Sequence, residues 1–192
     1  MIALIKYNAG NTRSVMNALN RLGAEYILSD EPRVIHEADK VIFPGVGEAS
    51  GAMAYLRERG LDETITALKQ PFLGICLGMQ LMCAFSEEND TPCLGIFPEK
   101  VRRFPPDGNV PHMGWNNLQQ PRGELFRGIG ETENMYFVHS YYVESGPHTA
   151  ALCEYLLPFS AALQKDNFYG VQFHPEKSAG GGQKLLRNFL EL

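Results

Sequence analysis

Apolar and polar positions along the first half of the chain follow two alternating patterns. Short apolar runs predict buried strands at residues 2–7, 25–28, 40–43 and 72–75. Between them, polar and apolar positions at helical spacing predict a helix that Asn11 or Thr12 caps and Gly23 ends, a short helix after a turn at 29–32, and helices over residues 51–59 and 62–68. Strand, loop and helix repeated in this order predict a doubly wound, largely parallel α/β sheet with right-handed crossovers and helices on both faces.

The pattern changes between residues 93 and 155. Short strands and turn signals, such as Pro-Pro-Asp-Gly at 105–108, replace the long helices there and predict an antiparallel extension of the sheet. Further along, the sequence predicts a strand at 137–142, paired strands at 159–163 and 168–173, a flexible glycine run at 179–182 and a closing helix at 184–192.

Composition fits one globular domain, which we assign to residues 1–192. The 192 residues are 44% hydrophobic and 20% charged, enough apolar material for a sizeable core. The net charge of -5, with no Lys/Arg run longer than Arg102 and Arg103, weighs against nucleic acid as a partner. No apolar run approaches the ~20 residues of a membrane span, and the first strand is too short for a secretory signal. We therefore expect a cytoplasmic protein that binds neither nucleic acid nor membrane.

The four cysteines, Cys76, Cys83, Cys93 and Cys153, are expected to be reduced thiols rather than two disulfides. The sequence has no C-x-x-C pair, and its five histidines are scattered singly. No metal site and no cofactor are predicted.

Cys76 stands where a buried strand is predicted to turn into a helix. Gly74 and Gly78 flank it, which is the cysteine version of the G-x-S-x-G nucleophile elbow. Such a turn presents its side chain at the carboxyl edge of the sheet, above the N-terminus of the next helix, which favours a thiolate. A cysteine is also commonly a small buried hydrophobe, so this motif alone leaves both interpretations open.

Two further motifs end predicted strands. Residues 44–47 (Pro-Gly-Val-Gly) form a small-residue loop at the edge where α/β sheets bind ligands, although the same residues suit a plain turn. His174 ends the last strand and could take a proton from Cys76, while Glu176 could orient the imidazole. A lone histidine beside a surface glutamate is the alternative for that pair. The three motifs in this order, each after a strand, favour a catalytic triad.

Together these motifs resemble the class I glutamine amidotransferases over essentially the whole chain. The segments that carry the resemblance are 44–47, 74–80 and 173–176. Segments 7–11, 111–116, 136–141 and 168–176 look like the glutaminase subunits of imidazole glycerol phosphate synthase, and His-Met-Gly-Trp-Asn at 112–116 is the most specific of them. Lys6 and Glu48 depart from the commonest pattern of these subunits, and neither belongs to the residues expected for the triad. The resemblance implies a flavodoxin-like fold.

The resemblance also implies roles for individual residues. Cys76, His174 and Glu176 would form the triad that hydrolyses the side-chain amide of L-glutamine. The oxyanion hole would consist of the Leu77 amide and an amide of the Val46–Gly47 peptide, which small neighbours would allow to turn in and out as a switch. The substrate's α-amino and carboxylate groups would lie near Gln80, Glu88, Ser140 and Tyr141. Gln80 lies one helical turn after Cys76 and therefore on the same face.

The implied partner is a (β/α)8-barrel cyclase in a heterodimer, which would use the ammonia to make imidazole glycerol phosphate and an aminoimidazole carboxamide ribotide in histidine biosynthesis. Asn11, Met113, Trp115 and Tyr136 are the candidate interface residues, with loop packing as the alternative for them. Trp115 is expected to be buried, either as an anchor there or in the core.

Three other functions compete with this one. The chain could be the glutaminase subunit of another class I amidotransferase synthase. It could be a non-catalytic subunit on the same fold, which the intact triad disfavours. It could also be another cysteine hydrolase such as a peptidase, which the Gly-Met-Gln continuation after Cys76 disfavours.

Overall fold

The computed structural model describes residues 1–7, 12–106 and 108–192. Its helices are α1 (Thr12–Arg21), α2 (Pro32–Glu37), α3 (Ala49–Glu58), α4 (Leu61–Ala67), α5 (Leu77–Leu81) and α6 (Ala179–Glu191), with 3-10 helices at Glu88–Asp90, Glu124–Phe126 and Pro175–Lys177. The strands of the first half are β1 (Ile2–Ile5), β2 (Tyr26–Ser29), β3 (Lys40–Gly45), β4 (Phe72–Cys76), β5 (Phe85–Ser86) and β6 (Thr91–Pro92). Those of the second half are β7 (Lys100–Arg103), β8 (His112–Asn117), β9 (Asn134–His139), β10 (Tyr141–Val143), β11 (Thr149–Tyr155), β12 (Leu157–Lys165) and β13 (Phe168–Val171).

One mixed sheet organises the described part of the chain. Strands β2, β1, β3, β4 and β13 lie side by side in that order and are parallel. The sheet continues through β12, β10, β7, β5 and β6, mostly antiparallel, and β11 pairs with β12. The predicted fold class, a central largely parallel sheet with an antiparallel extension, is confirmed. Strand β4, which ends in Cys76, lies in the interior of the sheet, between the parallel strands β3 and β13.

Each face of the sheet carries its own hydrophobic core. Alternate residues of a strand point to opposite faces, so Leu4 packs with α1 and α6 while its neighbour Ile5 packs with the helices α2 to α5. Both residues are fully buried. Helices therefore cover both faces, as the apolar pattern predicts.

Strands β8 and β9 form a separate two-stranded ribbon. The prediction of one continuous strand over residues 137–142 is wrong, because β9 ends at His139 and β10 begins at Tyr141 in the main sheet. Ser140 is the residue at which the chain passes from the ribbon to the sheet. This break places residues 138–141 at the carboxyl edge of the parallel strands, where they line a cleft.

The glycine run at 179–182 is helical, so the prediction of a flexible segment is wrong. Helix α6 begins at Ala179, and Gly182 is buried within it. A Cβ on Gly182 would lie 2.0 Å from the carbonyl oxygen of Pro175. The missing side chain thus allows the first turns of α6 to pack directly against the Pro175–Lys177 helix.

No helix within residues 1–7, 12–106 and 108–192 combines the length and apolar composition that a bilayer span requires.

Candidate active site

Cys76 occupies a strained turn between β4 and α5. Its backbone angles are φ 54° and ψ -111°, a conformation that is costly for a residue with a side chain and is found mainly at functional sites. Gly78 makes the turn possible, since a Cβ there would lie 2.1 Å from the Phe43 carbonyl oxygen. Gly74 is confined in the same way, because its Cβ would lie 2.7 Å from the Gly78 carbonyl oxygen. The turn has the form that the sequence predicts.

The parallel pairing of β13 with β4 brings His174 to Cys76. Val171 lies opposite Ile75 in this register, so the chain leaving β13 passes beside the Cys76 turn. His174 hydrogen bonds with Cys76 and, through Nδ1, donates to Glu176 Oε1 at 2.8 Å. The side chains of His174 and Glu176 are fully buried. Thiol, imidazole and carboxylate therefore meet in the predicted order.

The environment of His174 favours its charged form. Burial alone would lower the pKa of His174, but the hydrogen bonds to Cys76 and Glu176, together with the negative charge of both partners, outweigh burial and raise it. A proton on the imidazole is compatible with a thiolate on Cys76, the arrangement of an activated cysteine nucleophile.

A cleft of about 360 Å³ opens over the triad. It is lined by Cys76, His174 and every residue predicted for the oxyanion hole and for substrate binding, namely Val46, Gly47, Leu77, Gln80, Glu88, Ser140 and Tyr141. Such a volume suits a small metabolite. Across the described part of the chain, no cluster of three or more His, Cys, Asp or Glu side chains is arranged to hold a metal ion.

Tyr7 fixes the loop that carries Val46. The Tyr7 hydroxyl donates to the Val46 carbonyl at 2.8 Å and accepts from the Val46 amide at 2.7 Å. Burial raises the pKa of Tyr7 above its usual value, so the hydroxyl keeps its proton. In a trans peptide the N–H points opposite to the carbonyl, and the Gly47 amide is therefore directed away from Tyr7. Gly47 itself has φ 112°, a conformation that suits glycine.

Glu88 and Gln80 reach the cleft from different elements. Gln80 lies on the short helix α5, whereas Glu88 lies in the Glu88–Asp90 helix that follows β5. Glu88 Oε2 accepts from the Ala49 amide at 2.9 Å, and burial raises the pKa of its carboxyl group. Gln80 Nε2 donates to the Tyr141 carbonyl at 2.9 Å.

Two buried histidines, His112 and His139, support the backbone at Ser140 and Tyr141, where the chain passes from the ribbon to the main sheet. His139 Nδ1 lies 2.7 Å from the Tyr141 carbonyl oxygen, which can only accept, so that nitrogen carries the proton. His139 Nε2 then accepts from His112 Nδ1 at 3.0 Å. Burial holds both rings neutral by lowering the pKa of His112 to about 4 and that of His139 to about 3.

Sequence reasoning missed three residues that contact the site. Tyr7, His139 and Gln172 all bond to groups that line the cleft, and Gln172 Nε2 lies 3.6 Å from Cys76 Sγ. The position of Gln172, two residues before His174 in the sequence, was the one signal available for it. The roles of Tyr7 and His139 depend on contacts between distant segments.

The candidate interface residues lie on one face of the β8–β9 ribbon. Trp115 pairs with Tyr136 and Met113 with Val138, and we call these four residues the outer ribbon face. Of the two positions expected for Trp115, the core is wrong, because 54% of the residue is exposed. The other, an anchor that a partner buries, stays a prediction. The Trp115 ring rests edge-on against Tyr136 at 5.8 Å. Asn11, also predicted for the interface and as a helix cap, lies outside the described residues.

The family model described as Glutamine amidotransferase class-I matches residues 3–192. The chain is 57% identical over 194 residues to the imidazole glycerol phosphate synthase subunit HisH of Bacteroides fragilis, covering 100% of this chain and 99% of that protein. It is 49% identical over 194 residues to the HisH subunit of Escherichia coli, with the same coverage.

Solved structures share the fold at lower identity. A crystal structure of a glutamine amidotransferase matches with a TM-score of 0.78 and 20% identity, over 100% of this chain and 98% of that one. A glutamine amidotransferase from Thermotoga maritima matches with a TM-score of 0.67 and 18% identity, over 99% and 96% of the two chains.

Proposed function

The chain belongs to the class I glutamine amidotransferases, and we propose that it hydrolyses the side-chain amide of L-glutamine to glutamate and ammonia. One observation carries the proposal. Cys76, on its strained turn, hydrogen bonds with the buried His174–Glu176 pair inside a cleft of metabolite size.

The reaction divides into two steps at the same sulfur. The thiol proton of Cys76 passes to His174, and the thiolate attacks the side-chain carbonyl carbon. His174 then delivers the proton to the departing nitrogen, and the C–N bond breaks to release ammonia. Water then attacks the thioester, His174 takes the water proton, and the C–S bond breaks to return the electron pair to sulfur. Glu176 holds the imidazole through Nδ1, which leaves Nε2 as the nitrogen that exchanges protons.

Two backbone amides are proposed for the oxyanion hole. Leu77 is the first residue of α5, and the first amides of a helix have no partner inside it. The second donor comes from the 46–47 peptide. Removing one such donor costs roughly 10²–10³ in rate. We assign the 46–47 loop as the switch of the enzyme, since the Tyr7 hydroxyl engages the Val46 amide and carbonyl in this state.

The charged ends of glutamine are assigned to the far side of the cleft. Both side-chain hydrogens of Gln80 are engaged by Tyr141 and Gln172, so its carbonyl oxygen is the atom left for the substrate ammonium group. The Glu88 carboxylate adds a second acceptor. Ser140 and Tyr141, at the corner between ribbon and sheet, are assigned to the substrate carboxylate.

Ammonia needs a docked acceptor, because in water at neutral pH it becomes ammonium and loses its nucleophilic electron pair. The high identity to HisH subunits supports assignment of this chain as the glutaminase subunit of imidazole glycerol phosphate synthase. Its partner would be the (β/α)8-barrel cyclase of that enzyme, in a cytoplasmic heterodimer that makes imidazole glycerol phosphate and the aminoimidazole carboxamide ribotide. The outer ribbon face, of which Val138 also lines the cleft, is the proposed apolar docking surface.

Glutamate release with and without the barrel cyclase and its nucleotide ligand tests this function. We expect strong stimulation by that pair, abolition by Cys76→Ala, and full retention in a Cys93→Ala control. Stimulation by a different synthase subunit instead would assign the chain to a sister enzyme. Failure of a glutamine-analogue electrophile to alkylate Cys76 would overturn the catalytic assignment itself.

A further inference from the structure

Gln172 contacts the sulfur of Cys76 from within the protein interior. It follows directly after β13 and is completely buried. Its Nε2 lies 3.6 Å from Cys76 Sγ, within the range of an N–H···S hydrogen bond. The other polar groups at the sulfur are His174 and the Val138 carbonyl, which lies 4.0 Å away. Gln172 is therefore the uncharged side chain that offers the sulfur a hydrogen.

The orientation of the Gln172 amide is fixed by its neighbours. Its Oε1 accepts from Gln80 Nε2 at 2.9 Å, and Gln80 donates its other hydrogen to the Tyr141 carbonyl. A flipped Gln172 would set two NH₂ groups against each other and place an oxygen beside the sulfur. Tyr141 is held in turn by His139. This series of hydrogen bonds therefore directs the side-chain N–H of Gln172, and not its C=O, at the Cys76 sulfur.

We infer that Gln172 is a further catalytic residue, whose side-chain N–H stabilises negative charge on the Cys76 sulfur when the thiolate attacks and again when it leaves the thioester. The inference rests on the proposed role of Cys76. In the first step His174 gives its proton to the leaving nitrogen. In the second step the electron pair of the breaking C–S bond returns to sulfur, while His174 takes the proton of the attacking water. Gln172 has no proton to transfer, so its hydrogen bond serves the sulfur in both steps.

The chemical type of the residue fits this task. A largely buried sulfur anion needs donors that replace water, and Cys76 is only 8% exposed. A lysine or arginine there would hold the thiolate too tightly to attack, while a carboxylate would repel it. A buried amide supplies a moderate donor that remains neutral at every stage of the reaction.

The test is the pH dependence of Cys76 alkylation by iodoacetamide, followed on the Cys76 peptide by mass spectrometry. Gln172→Met removes the donor at similar size, and Gln172→Glu places a carboxylate beside the sulfur. We expect the alkylation profile of Gln172→Met to move alkaline by about one pH unit, or roughly tenfold slower reaction at neutral pH, and that of Gln172→Glu to move further. Glutamate formation should fall in parallel, in kcat more than in KM.

Asn188→Leu is the matched control. Asn188 is also a buried amide, donating to the Leu125 and Arg127 carbonyls beneath α6, so its loss disturbs packing without touching the sulfur. Its alkylation profile should coincide with that of the parent. Folded Gln172 variants whose profile is also unmoved would overturn the inference.

A measurement on the unaltered protein covers the case in which the variants do not fold. The side-chain amide protons of Gln172, followed by NMR with 15N-labelled glutamine, should shift as Cys76 ionises and again when Cys76 is alkylated. If the Gln172 amide proton shifts changed neither on ionisation nor on alkylation of Cys76, the role of Gln172 would be overturned. If Cys76 of the parent protein resists both iodoacetamide and the glutamine analogue, the proposed function itself fails, which separates the two outcomes.

Discussion

Among single residues, Tyr7 constrains the loop at residues 46–47. Within the part of the chain that the structure describes, its hydroxyl bonds to Val46 and not to the Cys76 sulfur. Its hydroxyl bonds to both the amide and the carbonyl of Val46. Rotation of either peptide next to Val46 breaks one of these bonds. If the 46–47 loop must rotate to complete the oxyanion hole, Tyr7 holds the enzyme in its resting state.

Tyr7→Phe removes the hydroxyl alone. We expect glutamine hydrolysis without partner to rise by roughly tenfold, a part of the 10²–10³ that one oxyanion donor contributes, so that stimulation by the partner shrinks. Initial rates of glutamate formation measure both. Tyr55→Phe, which loses a bond of 2.6 Å to Asp30 elsewhere, is the control. Equal losses of basal and stimulated activity would show that Tyr7 only supports the fold.

The buried histidines predict how stability depends on pH. His112 and His139 stay neutral when folded but titrate near pH 6.5 when unfolded. Unfolding therefore takes up protons below pH 6.5, and stability falls as the pH drops towards 4, approaching about 1.4 kcal/mol per pH unit for each ring. His174 has the opposite sign. Its raised pKa gives a contribution that is complete below pH 6.5 and is lost as the pH rises above it.

Urea unfolding between pH 7 and pH 5 measures this dependence. His112→Gln keeps a donor for His139 and should reduce the acid slope by about half. His36→Gln, at an exposed position, should leave the slope unchanged. An acid slope that is the same in the His112 variant as in the parent would contradict the assignment.

At the scale of elements, glycine contacts hold the catalytic turns in place. Helix α6 approaches the Pro175–Lys177 helix so closely that no side chain fits at Gly182. Pro175 stands between His174 and Glu176, so this packing also sets the geometry of the pair. Gly180, on the exposed side of the same helix, has nothing within 4 Å of its Cβ position.

Gly182→Ala should lower the free energy of unfolding by about 1–3 kcal/mol through overpacking, and should reduce kcat because the Pro175 turn shifts. Gly180→Ala should stabilise the protein by up to about 1 kcal/mol, since alanine favours the helix and restricts the unfolded chain. Thermal unfolding and glutamate formation distinguish them. If the two variants changed stability and kcat alike, the close contact of Gly182 with Pro175 would be excluded as the cause of the loss.

Periodicity predicted the parallel half of the fold because each of its strands and helices has a local signal. The glycines at 179–182 were misjudged because their reason, contact with Pro175, lies in tertiary packing that no local pattern contains. The break at Ser140 was missed for a related reason. Residues 137–142 contain no Gly or Pro that would mark a break, and only the competition between ribbon and main sheet divides them.

On the scale of the whole molecule, the β8–β9 ribbon is separate from the main sheet, but hydrogen bonds join it to the segment that carries His174. The Tyr136 carbonyl accepts from the His174 amide at 2.9 Å, and the Tyr136 amide donates to Ser178 Oγ at 2.9 Å. A partner that presses on the outer ribbon face would therefore act on the backbone of His174, the proposed catalytic base. Met113 and Trp115 are 63% and 54% exposed, an unusual state for large apolar side chains.

Trp115→Ala should weaken binding of the proposed barrel partner by about 2 kcal/mol, the loss typical of an aromatic anchor at an interface, while the stability of the isolated chain changes little. Calorimetric titration with the partner measures the affinity. Ile27→Ala, at a 38% exposed position on the edge strand β2, is the control. Equal affinities of the two variants would place the interface elsewhere.

The family was recognisable from the sequence, and the comparisons confirm it. The meeting of Cys76 with His174 could be predicted because both end parallel strands, and such ends share one edge of a sheet. The Gln172 contact could not, since its direction depends on Gln80 and on the register of β13 against β4. The exposure of Trp115 could not be predicted either, because the amino-acid sequence does not indicate which face of the ribbon the rest of the chain covers.

Trp115 is the only tryptophan of the chain, and it stands on the surface that the partner is proposed to cover. The tryptophan fluorescence of this chain therefore comes from that surface and needs no label. Emission should move to shorter wavelength when a partner displaces water from the indole, and remain unchanged when glutamine alone enters the cleft. Assembly can thus be followed optically whether or not the cleft holds substrate.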